Sequence, residues 1–488
     1  MEKIRTEGRK FTDEYGRQRL FNGVNLCDKG DYPQGSKQRI YALDFDERTV
    51  SRLADNGFNI VRLGIIWDAI EPQPGKYNKE YLDKVQAVAD LCAKYGIYFY
   101  LDMHQDLFSG RDNGAGGDGA PNWACMTGGA EFQPARFVWA EGYFWGKAVQ
   151  NSFTAFWNNE KYKGVPLQTY FRNMWKHVAE RFKDHPALFG FDLFNEPYPG
   201  VDGGKVFKKL IAGAVKTGLL DKRFSVKQAA KNLLNKDVIK CLDPFDDFTL
   251  FRKATSGADD IIKKFDTGVY SDFLNATAAA IREVTDNGII MMENSYYSNL
   301  GIPYSTPAVT VNGEKEAKLC FAPHAYDLMV DTPAYKYASN GRVGGIFDEH
   351  RRSQQRLDVP LLVGEWGGTS DGTDWLHHIR YLLDKFDSFQ WSQTYWAYYD
   401  GLLDAPIMGE LRRTYARAVT GDIDSYSYNR DTKTYTLEYT QQGKFTKPTE
   451  IYLHAEPTSI EASGKYEIEG DVLKLKTKAG KNKITIVF

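Results

Sequence analysis

The stretch Leu188-Phe189-Gly190-Phe191-Asp192-Leu193-Phe194-Asn195-Glu196-Pro197 is an apolar run that ends in an amide, a carboxylate and a proline. A strand that is apolar along nearly its whole length belongs to a parallel sheet covered on both faces. The proline stops it, so Glu196 projects from the C-terminal end of a buried strand with the Asn195 amide beside it. Far downstream, Val359-Pro360-Leu361-Leu362-Val363-Gly364-Glu365-Trp366-Gly367 repeats the device. One strand-end glutamate is ordinarily a salt-bridge partner on a rim. Two in the same context point to a pair of carboxyls that the fold brings together.

Outward from these, short β-branched or aromatic runs at 20–25, 59–65, 97–103, 188–194, 288–293, 319–325, 360–364 and 393–398 alternate with amphipathic stretches. Tyr81-Leu82…Val85…Val88-Ala89…Cys92 and Tyr170…Met174…His177-Val178…Arg181-Phe182 carry the helical i, i+3, i+4, i+7 spacing. Eight strands separated by helices predict an α/β chain of the (β/α)8 TIM-barrel class, in which strands 4 and 7 face each other across the mouth. After about residue 420 apolar and polar residues alternate between turn signals such as Asn429-Arg430-Asp431, the pattern of antiparallel strands. The expected division is a barrel over 1–420 and a small C-terminal β-sandwich domain over 421–488.

Two connections are too long to be simple links. The first, 105–166, holds a glycine cluster at 110–119 and then Phe137, Trp139, Tyr143, Phe144, Trp145, Phe153, Phe156 and Trp157. The second, 198–265, is rich in lysine. Both leave C-terminal strand ends, where barrel enzymes build their sites. The glycine cluster has no GK[ST] ending and reads as a mobile loop rather than a phosphate cradle.

Bulk properties narrow the function. A net charge of −2 over 488 residues argues against a nucleic-acid partner, which needs a concentrated basic surface. Five cysteines without a CxxC pair or histidine spacing suit neither a zinc site nor a complete disulfide framework. Cys92 and Cys320, in apolar runs, read as buried thiols. No run approaches the roughly 20 apolar residues of a transmembrane segment. The N-terminus has no apolar signal core, so the chain is secreted if a signal peptide has been trimmed and cytoplasmic otherwise. Aromatics at 14% suit a protein that grips sugars or lipids as well as a generous core.

The chemistry that uses two such carboxyls is retaining glycoside hydrolysis, with Glu196 as acid/base and Glu365 as nucleophile about 5–5.5 Å apart. Like-charge repulsion from Glu365 would keep Glu196 protonated. Arg62, charged inside the apolar run Asn59-Ile60-Val61-Arg62-Leu63, needs a buried anionic partner, and Glu365 is the candidate. His104 follows the third strand, and His324 and Tyr326 follow the sixth; they read as hydrogen-bond partners of the carboxylates and the sugar. Trp396, at the eighth strand, is a candidate floor for a pyranose ring.

Together, Arg62, His104, Asn195-Glu196, His324-x-Tyr326, Glu365 and Trp396 resemble glycoside hydrolase family 5 of clan A. The resemblance is strongest to the endoglycoceramidases, through Trp67-Asp68-Ala69-Ile70-Glu71-Pro72, Asp102-Met103-His104-Gln105-Asp106, Gly117-Asp118-Gly119-Ala120-Pro121-Asn122-Trp123-Ala124 and Arg413-Thr414-Tyr415-Ala416-Arg417-Ala418. It implies hydrolysis of the bond between glycan and ceramide in glycosphingolipids, with Lys29 and Asp106 binding the reducing-end sugar. It implies no metal and no organic cofactor. The expected partner is the glycosphingolipid itself, with transient contact to lipid surfaces. Alternatives are a glucosylceramidase, a steryl-glucosidase or a galactosyl-series β-glycosidase of the same family, and, in another class, a non-catalytic glycolipid-binding barrel. The 198–265 insertion has no clear counterpart in the resemblance, and no tryptophan of the 137–157 loop is assigned to sugar stacking.

Overall fold

A computed structural model describes residues 1–31, 39–109, 117–136, 138–223 and 238–488. Most of the glycine cluster, Phe137 and the middle of the lysine-rich insertion lie outside the described residues.

The eight apolar runs become eight parallel strands: Asn22–Cys27, Ile60–Ile66, Tyr98–His104, Leu188–Asp192, Ile289–Met292, Leu319–Phe321, Leu362–Val363 and Ser392–Tyr395. Each pairs with its neighbour in sequence order, and the eighth returns to the first. A parallel bridge from Phe321 to Leu361, continued by His324–Ala325 against Glu365–Trp366, joins strands six and seven and closes the barrel. That last pairing puts His324 directly beside Glu365.

The intervening helices follow their sequence pattern. Lys79–Lys94 starts where the Asn78 side chain accepts the Tyr81 N–H, and it buries Tyr81, Leu82, Val85, Val88, Ala89 and Cys92 against the barrel. Leu167–Phe182 does the same with Phe171, Met174, Trp175 and Val178. Of the two long connections, the first contributes helices Glu141–Trp145 and Lys147–Trp157. The second contributes Val201–Leu220, Phe248–Thr255 and Asp259–Phe265.

The C-terminal region packs a seven-stranded sheet on a four-stranded one around Tyr426, Tyr435, Leu437, Ile451, Leu473 and Ile484. The seven-stranded sheet is not purely C-terminal. Strands Ile4–Glu7, Lys10–Asp13 and Gln18–Arg19 join it, pairing through Arg19 with Ala418. Phe11 on the second of these packs edge-on against Phe21 and Phe189 at ring distances of 5.7 and 5.2 Å. The sandwich therefore seals the end of the barrel where the strands begin, and leaves the opposite end open for a site. Buried Arg413 and Tyr426, both bonded to Asp387, tie it to the last barrel helix.

Candidate active site

Arg62 is fully buried and organises the floor of the open end. Its Nη1 donates to Glu365 Oε1 at 2.5 Å, and its Nη2 to Glu293 Oε1 at 2.6 Å and Asn195 Oδ1 at 2.9 Å. Nε donates to Asp192 Oδ2 at 3.1 Å, and Asp102 Oδ1 lies 2.9 Å from Nη2. One guanidinium cannot balance four buried carboxylates. Burial accordingly raises the carboxyls of Asp192 and Glu293, Asp192 to about 7.

Glu196 sits at the end of the fourth strand with φ of +43°, a left-handed conformation uncommon for a residue with a side chain. Two contacts hold it. Its N–H donates to Glu293 Oε2 at 2.8 Å, and its carbonyl accepts from Gln105 Nε2 at 3.3 Å. Asn299 Nδ2 donates to its Oε1 at 2.7 Å, and His324 Nδ1 lies 3.3 Å from the same oxygen. Burial first, and the Asp106 carboxylate second, push Glu196 up to about 7. These causes come ahead of the Glu365 charge that the sequence suggests. Burial pushes His324 down to about 3, against the pull of Glu365, so this imidazole is neutral.

Glu365 is nearly as enclosed, at 4% exposure. Besides Arg62 it accepts from the Tyr326 hydroxyl at 2.8 Å. A carboxylate oxygen of Glu365, one of Glu196 and a nitrogen of His324 all lie within 4.8 Å of one another. This matches the separation of about 5–5.5 Å for double displacement, and falls short of the roughly 6.5–9.5 Å that leaves room for a water in an inverting enzyme.

A second cluster stands beside the first. Lys29 pairs with Asp106, and its Nζ lies 3.8 Å from Asp118 Oδ2. Burial alone would raise Asp106, but Lys29 and then His104 outweigh it and hold that carboxyl at about 2. His104 Nδ1 bonds Asp102 Oδ2 at 2.8 Å, and its ring stacks on Trp396 at 5.1 Å and 12°. Lys29 Nζ lies over the same indole at 4.9 Å. Three acidic or histidine triads here have cation-binding proximity: His104/Asp106/Asp118, Glu196/His324/Glu365 and Asp102/Asp192/Glu293. In each, Lys29 or Arg62 already stands against the carboxylates, so the chain itself supplies the positive charge.

Of the residues singled out in the sequence, Lys29, His104, Asp106, Asn195, Glu196, Tyr326, Glu365 and Trp396 line one cavity of about 460 Å³. Arg62 and His324 lie beneath it. The Asn195 amide is largely engaged within the protein, accepting from Arg62 and donating to the Gln105 carbonyl, so it braces the floor more than it reaches into the cavity. Asp102, Asp192 and Glu293 are not among the residues singled out in the sequence, although each carries the signal that identifies Arg62: a charge in or at the end of an apolar strand. Nor is Asn299. It comes from a short 3-10 segment, Tyr296–Leu300, and nothing in its surroundings marks it.

Above the floor the cavity wall turns apolar, with Val138, Trp139, Phe144, Phe207, Leu328 and Val330. Phe207 stacks on Phe144 at 4.3 Å, and Trp139 Nε1 donates to Asp331 at 3.0 Å across the opening.

Known proteins match this chain along its length. An endoglycoceramidase of Cyanea nozakii is 32% identical over 218 residues, 40% of this chain and 42% of that protein. The match thus spans less than half of that relative. Endoglycoceramidase I of Rhodococcus hoagii is 25% identical over 99% of this chain and 85% of its own. The solved endo-glycoceramidase II of Rhodococcus sp., in complex with a five-membered iminocyclitol, shares the fold with a TM-score of 0.74 at 24% identity, covering 99% of both chains. Residues 34–235 and 260–401 match the cellulase (glycosyl hydrolase family 5) family, and 413–487 match the glycoside hydrolase family 5 C-terminal domain. The barrel, its strand-end carboxylates and these matches agree, and the chain belongs to glycoside hydrolase family 5.

Proposed function

We propose that this chain is a retaining, endo-acting glycoside hydrolase that cleaves the β-glycosidic bond between an oligosaccharide and ceramide. The observation that carries this reading is the two-sided cavity, in which a charged floor with paired carboxylates meets an aromatic and aliphatic wall. Such a cavity suits an amphiphile whose scissile bond lies at the join between sugar and lipid. The relatives named endoglycoceramidase support the same substrate class.

In the proposed reaction the sugar lies over Trp396 with its hydroxyls on Lys29, Asp106 and His104. Glu196, protonated below about pH 7, gives its proton to the glycosidic oxygen as the bond between that oxygen and the anomeric carbon breaks. Glu365 attacks the anomeric carbon from the other side and forms a glycosyl ester, while Tyr326 and Arg62 hold its carboxylate in place. The lipid alcohol departs along the apolar wall. Glu196, now ionised, takes a proton from water, which attacks the anomeric carbon and releases the glycan with its configuration retained. His324, being neutral, offers a hydrogen bond to either carboxylate without competing for the proton.

Mass spectrometry of products from a ganglioside, lactosylceramide and glucosylceramide in detergent tests this. Intact oligosaccharide and ceramide from the longer glycolipids are expected. Cleavage of glucosylceramide alone would keep the chemistry and reassign the enzyme to monoglycosyl lipids.

A further inference from the structure

The helix Val201–Leu220 carries an unusual outer face. Ile211, Val215 and Leu219 follow one another at four-residue steps and are 49%, 57% and 66% exposed, with Leu220 at 68%. Residues four apart on a helix are neighbours, so the three form one continuous apolar row. The row is not the packing face. That lies opposite, where Val206 and Thr217 are buried and Gly213 approaches the Ala254 carbonyl so closely that no side chain would fit. Of the seventeen exposed large apolar side chains among the described residues, five belong to this one helix. Scattered exposed apolar residues need no explanation, but a contiguous row does.

Two further observations identify what covers it. The row continues into the cavity wall: Phe207, one turn before Ile211, lines the cavity and takes the edge of Trp145 at 4.9 Å, and Trp145 is itself 59% exposed. Beside the row stand the exposed Lys208 and Lys216, while Lys205 pairs with the single acid on the helix, Asp202, and Lys209 donates to the Gly257 carbonyl. An apolar stripe flanked by lysines is the pattern of a helix lying in a membrane interface, the stripe among the acyl chains and the ammonium groups at anionic headgroups.

We infer that the outer face of helix 201–220 docks the enzyme on an anionic lipid bilayer, with the apolar side of the cavity mouth turned toward the membrane. A ceramide-linked substrate would then pass from bilayer to cavity along Phe207 without crossing water. That purpose rests on the proposed lipid substrate; the docking itself does not.

The test uses the whole chain and glycolipid-free vesicles of phosphatidylcholine, with and without phosphatidylserine, in a flotation assay. Wild-type protein is expected to float with the phosphatidylserine vesicles and to be released by salt, since the lysine contribution is screened. The double variant Val215→Glu/Leu219→Glu should partition roughly a hundredfold less, about tenfold for each aliphatic side chain kept from the membrane. Its circular dichroism, melting and rate on a soluble aryl lactoside should match wild type, because both positions face solvent away from the cavity. Lys208→Gln/Lys216→Gln should weaken the preference for phosphatidylserine. Equal partitioning of wild type and the Glu variant, or no vesicle binding by wild type, would overturn the inference. So would self-association of wild type that the Glu variant abolishes, with no binding to vesicles. Failure to cleave glycolipids, with vesicle binding intact, would count against the proposed function and leave the docking standing.

Discussion

The floor and the wall of one cavity are built on opposite terms. The floor stands on strand ends, and nearly every group there is fixed by several others: Arg62 touches Glu365, Glu293, Asp192, Asp102, Asn195 and Asn25. Displacing one member leaves buried charges uncompensated. The wall stands on helices and a turn of the two long connections and on the turn after the sixth strand, and its aromatic side is joined by ring contacts, such as Phe144 on Phe207 and Trp145 against it. No single wall residue is indispensable to its neighbours. The floor is thus suited to chemistry that tolerates no displacement, and the wall to an aglycone whose chains vary in shape.

Substitutions sharpen that contrast, and the largest effects belong to the floor. Glu365→Gln should reduce turnover by on the order of 10⁵-fold on every substrate, because the proposed nucleophile is lost with its volume kept; steady-state kinetics on purified variant checks this. Glu196→Gln should cost about 10²–10⁴-fold on glycolipid and much less on an aryl glycoside, whose leaving group needs no proton. Comparing the two substrates separates an acid from a merely structural carboxylate. Arg62→Ala removes the cation among four buried carboxylates and should destabilise the fold by about 3–5 kcal/mol, read from urea denaturation.

On the wall the effects shrink and become selective. Phe207→Ala should lower kcat/KM on a lipid aglycone roughly tenfold and leave the soluble aryl substrate unchanged. An equal loss on both would mean that the wall shapes the floor.

The finest test is of pH. As the proposed acid, Glu196, with its carboxyl near 7, would have to be protonated, so kcat/KM on glycolipid should fall as pH rises through about 7. Asn299 hydrogen-bonds the carboxylate and favours its charged form. Asn299→Ala should therefore raise that pKa and move the alkaline limb to higher pH. A limb that stays in place would remove Asn299 from the acid's environment.

The contrast also marks what the sequence could say. Strands that must be apolar on both faces leave any charge conspicuous, which is why Arg62, Glu196 and Glu365 stand out and why the eight barrel strands can be read directly. Asp192 and Glu293 show the same signal, but only the fold shows that Arg62 faces four carboxylates at once. Asn299 and the +43° φ of Glu196 depend on loop geometry and on partners from the fifth strand, which no local pattern encodes. The N-terminal strands at 4–19 were invisible for a related reason. They are short, and the last of them, Gln18–Arg19, joins a strand some 400 residues away, Arg19 pairing with Ala418.

Central to the proposed mechanism is Glu365 bonding to the sugar with Glu196 close by. Labelling with a 2-deoxy-2-fluoro β-glycoside bearing a good leaving group, followed by peptide mass mapping, tests it. One sugar per chain is expected, carried on the peptide containing Glu365, with activity lost in proportion. An adduct on another residue, or turnover of the reagent by an enzyme that forms no adduct and releases the inverted anomer, would contradict it.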